Sequence, residues 1–420
     1  MTSLFFYTII GLMIFGFILD QLLDYLNTKG WKLEIPPLLK EVYPVEKYQK
    51  TILYEKANYR FGLVQSSLSV VGMLAFLILG GFGWVDALVQ QFTASVILRA
   101  LLFFGILALV SDLIATPFSV WDTFVIEQKF GFNTTTVKTF ILDKLKGLLL
   151  MALIGGGLLS LIVYIYTVTG NWFWVFVWGS VSGFSIFMAM FYSDLIVPLF
   201  NKQTPLEHGP LRDAIEAFAD KVGFKIKNIY VIDGSKRSNK ANAYFTGLGS
   251  RKRIVLYDTL IKEHSIEELV AVLAHEVGHY KHRHTLKGII SGLLQAGLMF
   301  YILSLFIEKD SQIALAISQA IAGNQLDTPA SFHLGIIAFS VLYSPVSMIT
   351  GLVSNWFSRK HEYEADKFAA ENYGAEHLQN ALIKLSANNL SNLNPHPWYV
   401  FVHYSHPPLV KRLEALGKLK

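Results

Sequence analysis

Apolar residues run with little interruption for about twenty positions at a time, the length a helix needs to cross about 30 Å of hydrocarbon. Seven such runs are predicted to span a membrane, at residues 3–25, 62–85, 96–118, 147–168, 172–196, 286–307 and 332–356. The first lacks a basic n-region and a small-residue cleavage site, so it reads as a retained span rather than a signal peptide. Only Thr169, Gly170 and Asn171 separate the fourth run from the fifth, which predicts a tight helical hairpin. Between runs five and six the pattern changes. Pro210 can open a helix through Ala214, Ile215, Ala217 and Phe218. Residues 227–233, 242–246 and 253–257 read as short strands, with a turn at Asp233-Gly234-Ser235. Ser265-Ile266-Glu267-Glu268 is a capping box ahead of a helix carrying Leu269, Val270, Val272, Leu273, His275, Glu276 and His279. Residues 361–389 again read as helices, and 390–420 as a polar tail.

Composition agrees with the spans. The 420 residues are 53% hydrophobic and 16% charged, with mean hydropathy +0.42, whereas a soluble domain carries about 25% charge. Disorder, a fibrous repeat and an ordinary cytosolic protein are excluded. The net charge of +5 is distributed unevenly. One side of the proposed membrane, holding the N-terminus and the connections near 86–95, 169–171 and 308–331, has Lys309 as its sole Lys or Arg. The other side holds Lys29, Lys32, Lys40, Lys47, Lys50, Lys56 and Arg60 in its first loop, then Lys129, Lys138, Lys144, segment 197–285 and the basic tail. The positive-inside rule makes that side cytoplasmic and assigns the basic excess to membrane topology rather than to nucleic acid. Asp112 in the third span is expected to face a polar interior, because lipid exposure would cost several kcal/mol; Arg99 lies at that span's edge. There are no cysteines, so disulfides, thiolate ligands and a cysteine nucleophile are excluded, and any metal must be held by His and carboxylate.

His275-Glu276-Val277-Gly278-His279 is an HExxH motif on a predicted helix. Its histidines are i and i+4, on one face, and can share a metal. Glu276 is placed to reach a water on that metal and take its proton. The competing reading is a pair of solvated histidines with Glu276 ion-paired to Lys281 or Arg283. A catalytic zinc wants a third protein ligand and one open position. The candidate segment is His361-Glu362-Tyr363-Glu364-Ala365-Asp366, and spacing alone leaves Glu362 and Glu364 both open as ligand. With Glu362 as ligand, Asp366 shares its helical face and can hydrogen-bond a ligand histidine, while Glu364 points elsewhere. The plain alternative is a charged helix start. His279 lies about 10 Å at helical rise from Leu286, so the site is expected at the cytoplasmic membrane edge, suiting a lipidated or bilayer-derived substrate. His282, i+3 from His279, could support a ligand from behind, but such histidines are more often exposed near a membrane surface, and His282 and His284 are read that way. His406 and Arg412 could stabilise an oxyanion, although a C-terminal histidine is more often structural.

Taken together these residues resemble the CAAX prenyl protease type 1 family, integral-membrane zinc metalloendopeptidases. The resemblance covers essentially the whole chain. It rests on the seven-span layout, Phe130-Gly131-Phe132-Asn133, Pro198-Leu199-Phe200-Asn201-Lys202, Asp233 to Ser238, Asn242-Ala243-Tyr244, the HEVGH motif, Glu362 to Asp366, and Ser405-His406-Pro407-Pro408 with Arg412. It implies a mainly α, polytopic fold: seven transmembrane helices form a barrel-like chamber, with a zincin-type α+β protease domain on the cytoplasmic side. It also implies one zinc per chain on His275, His279 and Glu362, with Glu276 as general base. Asp366 would support a ligand or donate a proton, His406 and Arg412 would line the oxyanion side, and Asn242-Ala243 would bind substrate backbone by strand addition. The reaction implied is removal of a C-terminal tripeptide after a prenylated cysteine.

The expected organisation interleaves membrane and protease segments. Spans one to five occupy 1–196, and the protease domain begins over 197–285 with the edge strands and the motif helix. Spans six and seven follow over 286–356, and the protease domain is completed over 357–420 by the Glu362 helix and the tail. The expected partners are the bilayer and a prenylated or membrane-tethered substrate, with no nucleic acid and a monomeric chain. The expected location is a bacterial inner membrane or a eukaryotic endoplasmic-reticulum membrane. Two other readings are a membrane quality-control metalloprotease with non-prenylated substrates and a transporter or scaffold with an incidental HExxH.

Overall fold

The structure is a computed structural model, and it describes residues 1–31, 34–224, 228–246, 253–308 and 311–419. Lys32, Lys227, Lys309 and Lys420, which enter the charge count, a predicted strand and the tail, lie outside the described residues. The protein is mainly helical and polytopic. Five helical stretches are long and apolar enough to cross a membrane: Thr2–Thr28, Val45–Ile78, Val96–Glu127, Val137–Phe200 and His284–Phe306. A sixth is a pair, Phe332–Leu342 and Ser344–Asn372, bent by 52°. Their outward side chains are left bare, as with Leu113 (71% exposed) and Ile114 (64% exposed). In water such a surface would be an aggregation hazard; in a bilayer it is the solvent-matched face.

Several boundaries differ from the hydropathy reading. The second helix stops at Ile78, two residues before the left-handed Gly80 (φ 73°), and residues 81–92 form a separate short helix. That helix buries Asp86, whose Oδ1 lies 2.6 Å from Nε2 of the buried His333. The connection between the last two apolar runs contains another short helix, Gln312–Ile321. The last run breaks before Ser344-Pro345, because proline has no N–H to bond the preceding turn. The stretch Val137–Phe200 is interrupted at Gly170 (φ 51°, ψ −129°), where the hairpin was expected. Asp112 pairs with Lys144 at 2.7 Å, and Arg99 Nε donates to Thr93 O at 2.8 Å.

The extramembrane region is built on a four-stranded mixed sheet: β1 Gln203–Pro205, β2 Asn228–Ile232, β3 Ala243–Thr246 and β4 Arg253–Tyr257. The order is β1-β2-β4-β3, with β2 parallel to β4 and the outer pairs antiparallel. The edge strand β1 was not anticipated, because three residues ending in proline carry no alternation to read. Helices Pro210–Lys221, Ile266–Lys281 and Ala375–Asn388 join the sheet in one core containing Ile215, Phe218, Ile254, Leu256, Leu269, Leu273 and Leu378. Ion pairs fasten this unit to the ends of the spans. Arg237 grips Asp143 through two bonds of 2.7 and 2.8 Å, Arg253 meets Asp194 at 2.5 Å, and Lys240 meets Glu127 at 2.8 Å. Segments singled out in the sequence interlock at the same junction, with Asn239 Nδ2 donating to Gly131 O and Asn201 Nδ2 to Asp233 Oδ1.

Candidate metal centre

The motif helix Ile266–Lys281 begins with a complete capping box, Ser265 and Glu268 each bonding the other's backbone N–H. Its apolar side is fully buried, which fixes the helix's rotation and turns His275 and His279 toward the helix Ser344–Asn372. Gly278 makes the approach possible. A Cβ there would lie 3.0 Å from Ala365 Cα and 3.1 Å from its carbonyl oxygen.

At this crossing the structure brings His275, His279 and Glu362 together, with one ligating atom of each within 4.8 Å of the others. His275 Nε2 and His279 Nε2 are 3.1 Å apart. Glu362 Oε1 is 3.2 Å from His279 Nε2, and Oε2 is 3.5 Å from His275 Nε2. Glu362 is 4% exposed, and its Oε2 has no hydrogen-bond partner among the described residues. Two imidazole nitrogens aimed at each other beside an unbonded buried carboxylate oxygen are what a divalent cation would satisfy. The donor set, two nitrogens and one oxygen, fits zinc with one position left open.

A second layer holds these three. Asp366 Oδ1 accepts from His275 Nδ1 at 2.9 Å, leaving Nε2 for the metal. Arg412 grips Asp366 through Nε (2.8 Å) and Nη2 (2.6 Å), and its Nη1 lies 3.4 Å from Glu362 Oε2. Arg412 reaches inward because Leu413 and Leu416 anchor its helix, Leu409–Gly417. His406 Nε2 is 3.4 Å from Glu362 Oε1, while its side chain remains 65% exposed. Glu276 is half-buried on the same helix as the two histidines. Lys281 donates to Val222 O at 2.6 Å. Asn242 and Ala243 lie where edge strand β3 begins, held by a pair of 3.1 Å bonds between Ala241 and Asn389.

The charges respond to this packing. Burial alone would lower the His275 imidazole, but the neighbouring carboxylates of Asp366 and Glu362 push it up to about 9. Burial would raise both carboxylates, yet the neighbouring His275 and His279 imidazoles hold Glu362 well below its usual range, and His275 and Arg412 do the same for Asp366. Sequence reasoning reads His284 as an exposed side chain and keeps Glu364 only as an alternative metal ligand; the structure corrects the first and gives the second another partner. His284 is buried with its Nδ1 3.0 Å from His279 Nδ1, and its Nε2 lies 2.9 Å from Glu364 Oε2.

The chain matches the family description "CAAX prenyl protease N-terminal, five membrane helices" over residues 24–202 and "Peptidase family M48" over 205–420. It is 35% identical to the CAAX prenyl protease 1 homolog of Oryza sativa, an alignment covering 96% of this chain and 95% of that protein. It is also 35% identical to CAAX prenyl protease 1 of Saccharomyces cerevisiae, over 91% of this chain and 88% of the relative. The crystal structure of S. mikatae Ste24p superposes with a TM-score of 0.90 at 35% identity, covering 98% of each chain. Near-full-length identity at this level, together with the assembled ligand set, makes this chain a member of the CAAX prenyl protease 1 family of membrane zinc metalloproteases.

Proposed function

We propose that the chain carries one zinc on His275, His279 and Glu362 and removes a C-terminal tripeptide from prenylated proteins at the cytoplasmic membrane edge. The observation that carries this is the convergence of donors from two helices that flank the last membrane hairpin. A zinc held there would supply Lewis acidity to a carbonyl and lower the pKa of a water toward 7. Glu276 would be the base that receives a proton and returns it to the leaving amine. Asp366 holds the His275 ring with its N–H turned away from the metal. Arg412, spent on Asp366 and beside Glu362, acts from behind the ligands, whereas the exposed His406 can turn toward a developing oxyanion. Asn242 and Ala243 offer an edge strand to the substrate backbone.

The membrane arrangement in this reading has seven spans around a polar chamber. A straight helix of 64 residues would be about 96 Å long, far beyond a bilayer, so Val137–Phe200 counts as two spans folded at Gly170. The bent pair supplies the seventh. The pairing of Asp112 in the third span with Lys144 at the cytoplasmic end of the fourth supports a polar interior. The basic loops orient the zincin-type domain and the C-terminus to the cytoplasm, and the chain acts as a monomer without nucleic acid. Neither the quality-control nor the transporter reading has a specific observation in its favour.

The test begins with metal analysis of protein purified in detergent. One zinc per chain is expected, and Glu362→Ala should lose it. Mass spectrometry of products from a prenylated CAAX peptide and its unprenylated twin then tests the substrate; equal cleavage of both would remove the prenyl requirement. Glu276→Gln should keep the metal and lose cleavage by a factor on the order of 10² or more. Activity within a few-fold of wild type would take Glu276 out of the base role.

A further inference from the structure

We propose that His284 and Glu364 are positioning residues for the ligand His279, joined to it by a relayed hydrogen bond that sets the affinity of the metal site. The proposal rests on the zinc reading above. The motif helix ends at Lys281, and Arg283 then adopts a left-handed conformation (φ 57°, ψ 33°) that turns the chain before the next helix. The turn carries the ring of His284 back onto His279, edge to face with centroids 5.1 Å apart. The ring is then boxed in. Its side chain is 4% exposed, His361 stacks on it at 3.9 Å and 12°, and Glu364 holds Nε2.

Proton bookkeeping in this box has one solution. His279 Nε2 faces the His275 nitrogen and Glu362, so in the loaded site it must present a lone pair. A neutral imidazole then carries its proton on Nδ1. That N–H points at His284 Nδ1, 3.0 Å away, which must be bare to accept it. His284 therefore keeps its proton on Nε2 and donates to Glu364 Oε2 at 2.9 Å. The metal's demand on one nitrogen thus fixes both ring tautomers, and a carboxylate terminates the chain. Ligand histidines ordinarily give their second N–H directly to such an acceptor. Here His275 does so with Asp366, and His279 does so through an interposed imidazole. Three carboxylates spaced two apart on one helix divide the work: Glu362 ligates, Asp366 supports His275 and Glu364 supports His279.

His282, His284 and Glu364 also bring ligating atoms within 4.8 Å of one another. A second cation there is disfavoured by geometry. The His282 and His284 rings are nearly parallel at 14°, so lone pairs lying in their planes do not converge, and His284 Nε2 is already engaged.

The experiment measures zinc affinity of the full-length protein in detergent by competition with a chromophoric chelator, alongside the melting temperature of the metal-free protein. His284→Ala and Glu364→Ala should bind zinc about 10- to 100-fold more weakly. Glu364→Gln, whose amide oxygen still accepts from Nε2, should stay near wild type. A merely structural role would shift melting and leave affinity alone. Unchanged affinity in both alanine variants, or equal loss in Glu364→Gln and Glu364→Ala, overturns the relay. If His284→Ala fails to fold, the partly exposed Glu364 still decides. Two zinc ions per wild-type chain, falling to one in His282→Ala, would replace the relay with a second site. Failure of the underlying zinc reading looks different: wild type without zinc, or Glu362→Ala retaining it.

Discussion

His275 sits between two carboxylates, and its protonation links metal loading to pH. In the metal-free protein its pKa of about 9 lies above the unfolded value of 6.5. The proton therefore stabilises the fold below about pH 6.5, and that contribution is lost as pH rises through 9. Asp366 and Glu362 behave oppositely. Their depressed values add stability above the ordinary carboxylate range, lost as pH falls through the folded values. Zinc needs the Nε2 lone pair, so uptake between pH 6.5 and 9 should expel a proton from His275. Calorimetry in two buffers of different ionisation heat checks this; a binding enthalpy independent of buffer would contradict it. At this scale, residues related by regular helical spacing were readable: the i, i+4 histidines, and Asp366 one turn beyond Glu362. His284 was not, because the left-handed Arg283 breaks the spacing arithmetic. Spacing leaves Glu364 open as an alternative ligand to Glu362; in the structure it points elsewhere, to His284.

Two helices meet at the site, and their separation is set by Gly278. A methyl group there would press on the backbone of Ala365, one residue from Glu364 and Asp366. Backbone cannot rotate aside as a flexible side chain can, so Gly278→Ala should cost about 1–3 kcal/mol of stability and weaken zinc binding. Melting and chelator competition read both, and an unaltered zinc affinity would mean that the helices can separate without moving the ligands. Ser265→Ala removes a cap from the same helix and should cost about 1 kcal/mol; it lies far enough from the histidines to leave metal stoichiometry at one. Elements with local signals were legible in the sequence: the capping box, the start of the helix at Pro210, and β4. The left-handed Gly80, packed against Ala322 and Gln325, was not, nor were the π-helical turns Asp122–Glu127 and Met151–Gly155. The bend before Pro345 did have a local signal, and the continuous hydropathy of the run masked it.

Across the whole molecule, hydropathy and the distribution of basic residues identified a polytopic membrane protein, because a bilayer leaves few options for backbone without internal hydrogen bonds. The count of crossings was harder to read, since hydropathy does not distinguish a span from an apolar helix packed beneath it. Gln312–Ile321, seven of whose ten residues are buried, is such a helix. The orientation has a direct test. A reporter inserted near Gly323 should read exterior, and one fused after Leu419 should read cytoplasmic; the same side for both would break the topology.

The two imidazoles precede the last membrane hairpin and the carboxylate follows it. In the proposed arrangement, a chain still on the ribosome before that hairpin is made would have both nitrogen donors but no oxygen to complete the set, and Arg412 would arrive later still. On the proposed ligand set, peptidase activity is therefore expected only once the segment that carries Glu362 has been made and packed against the motif helix.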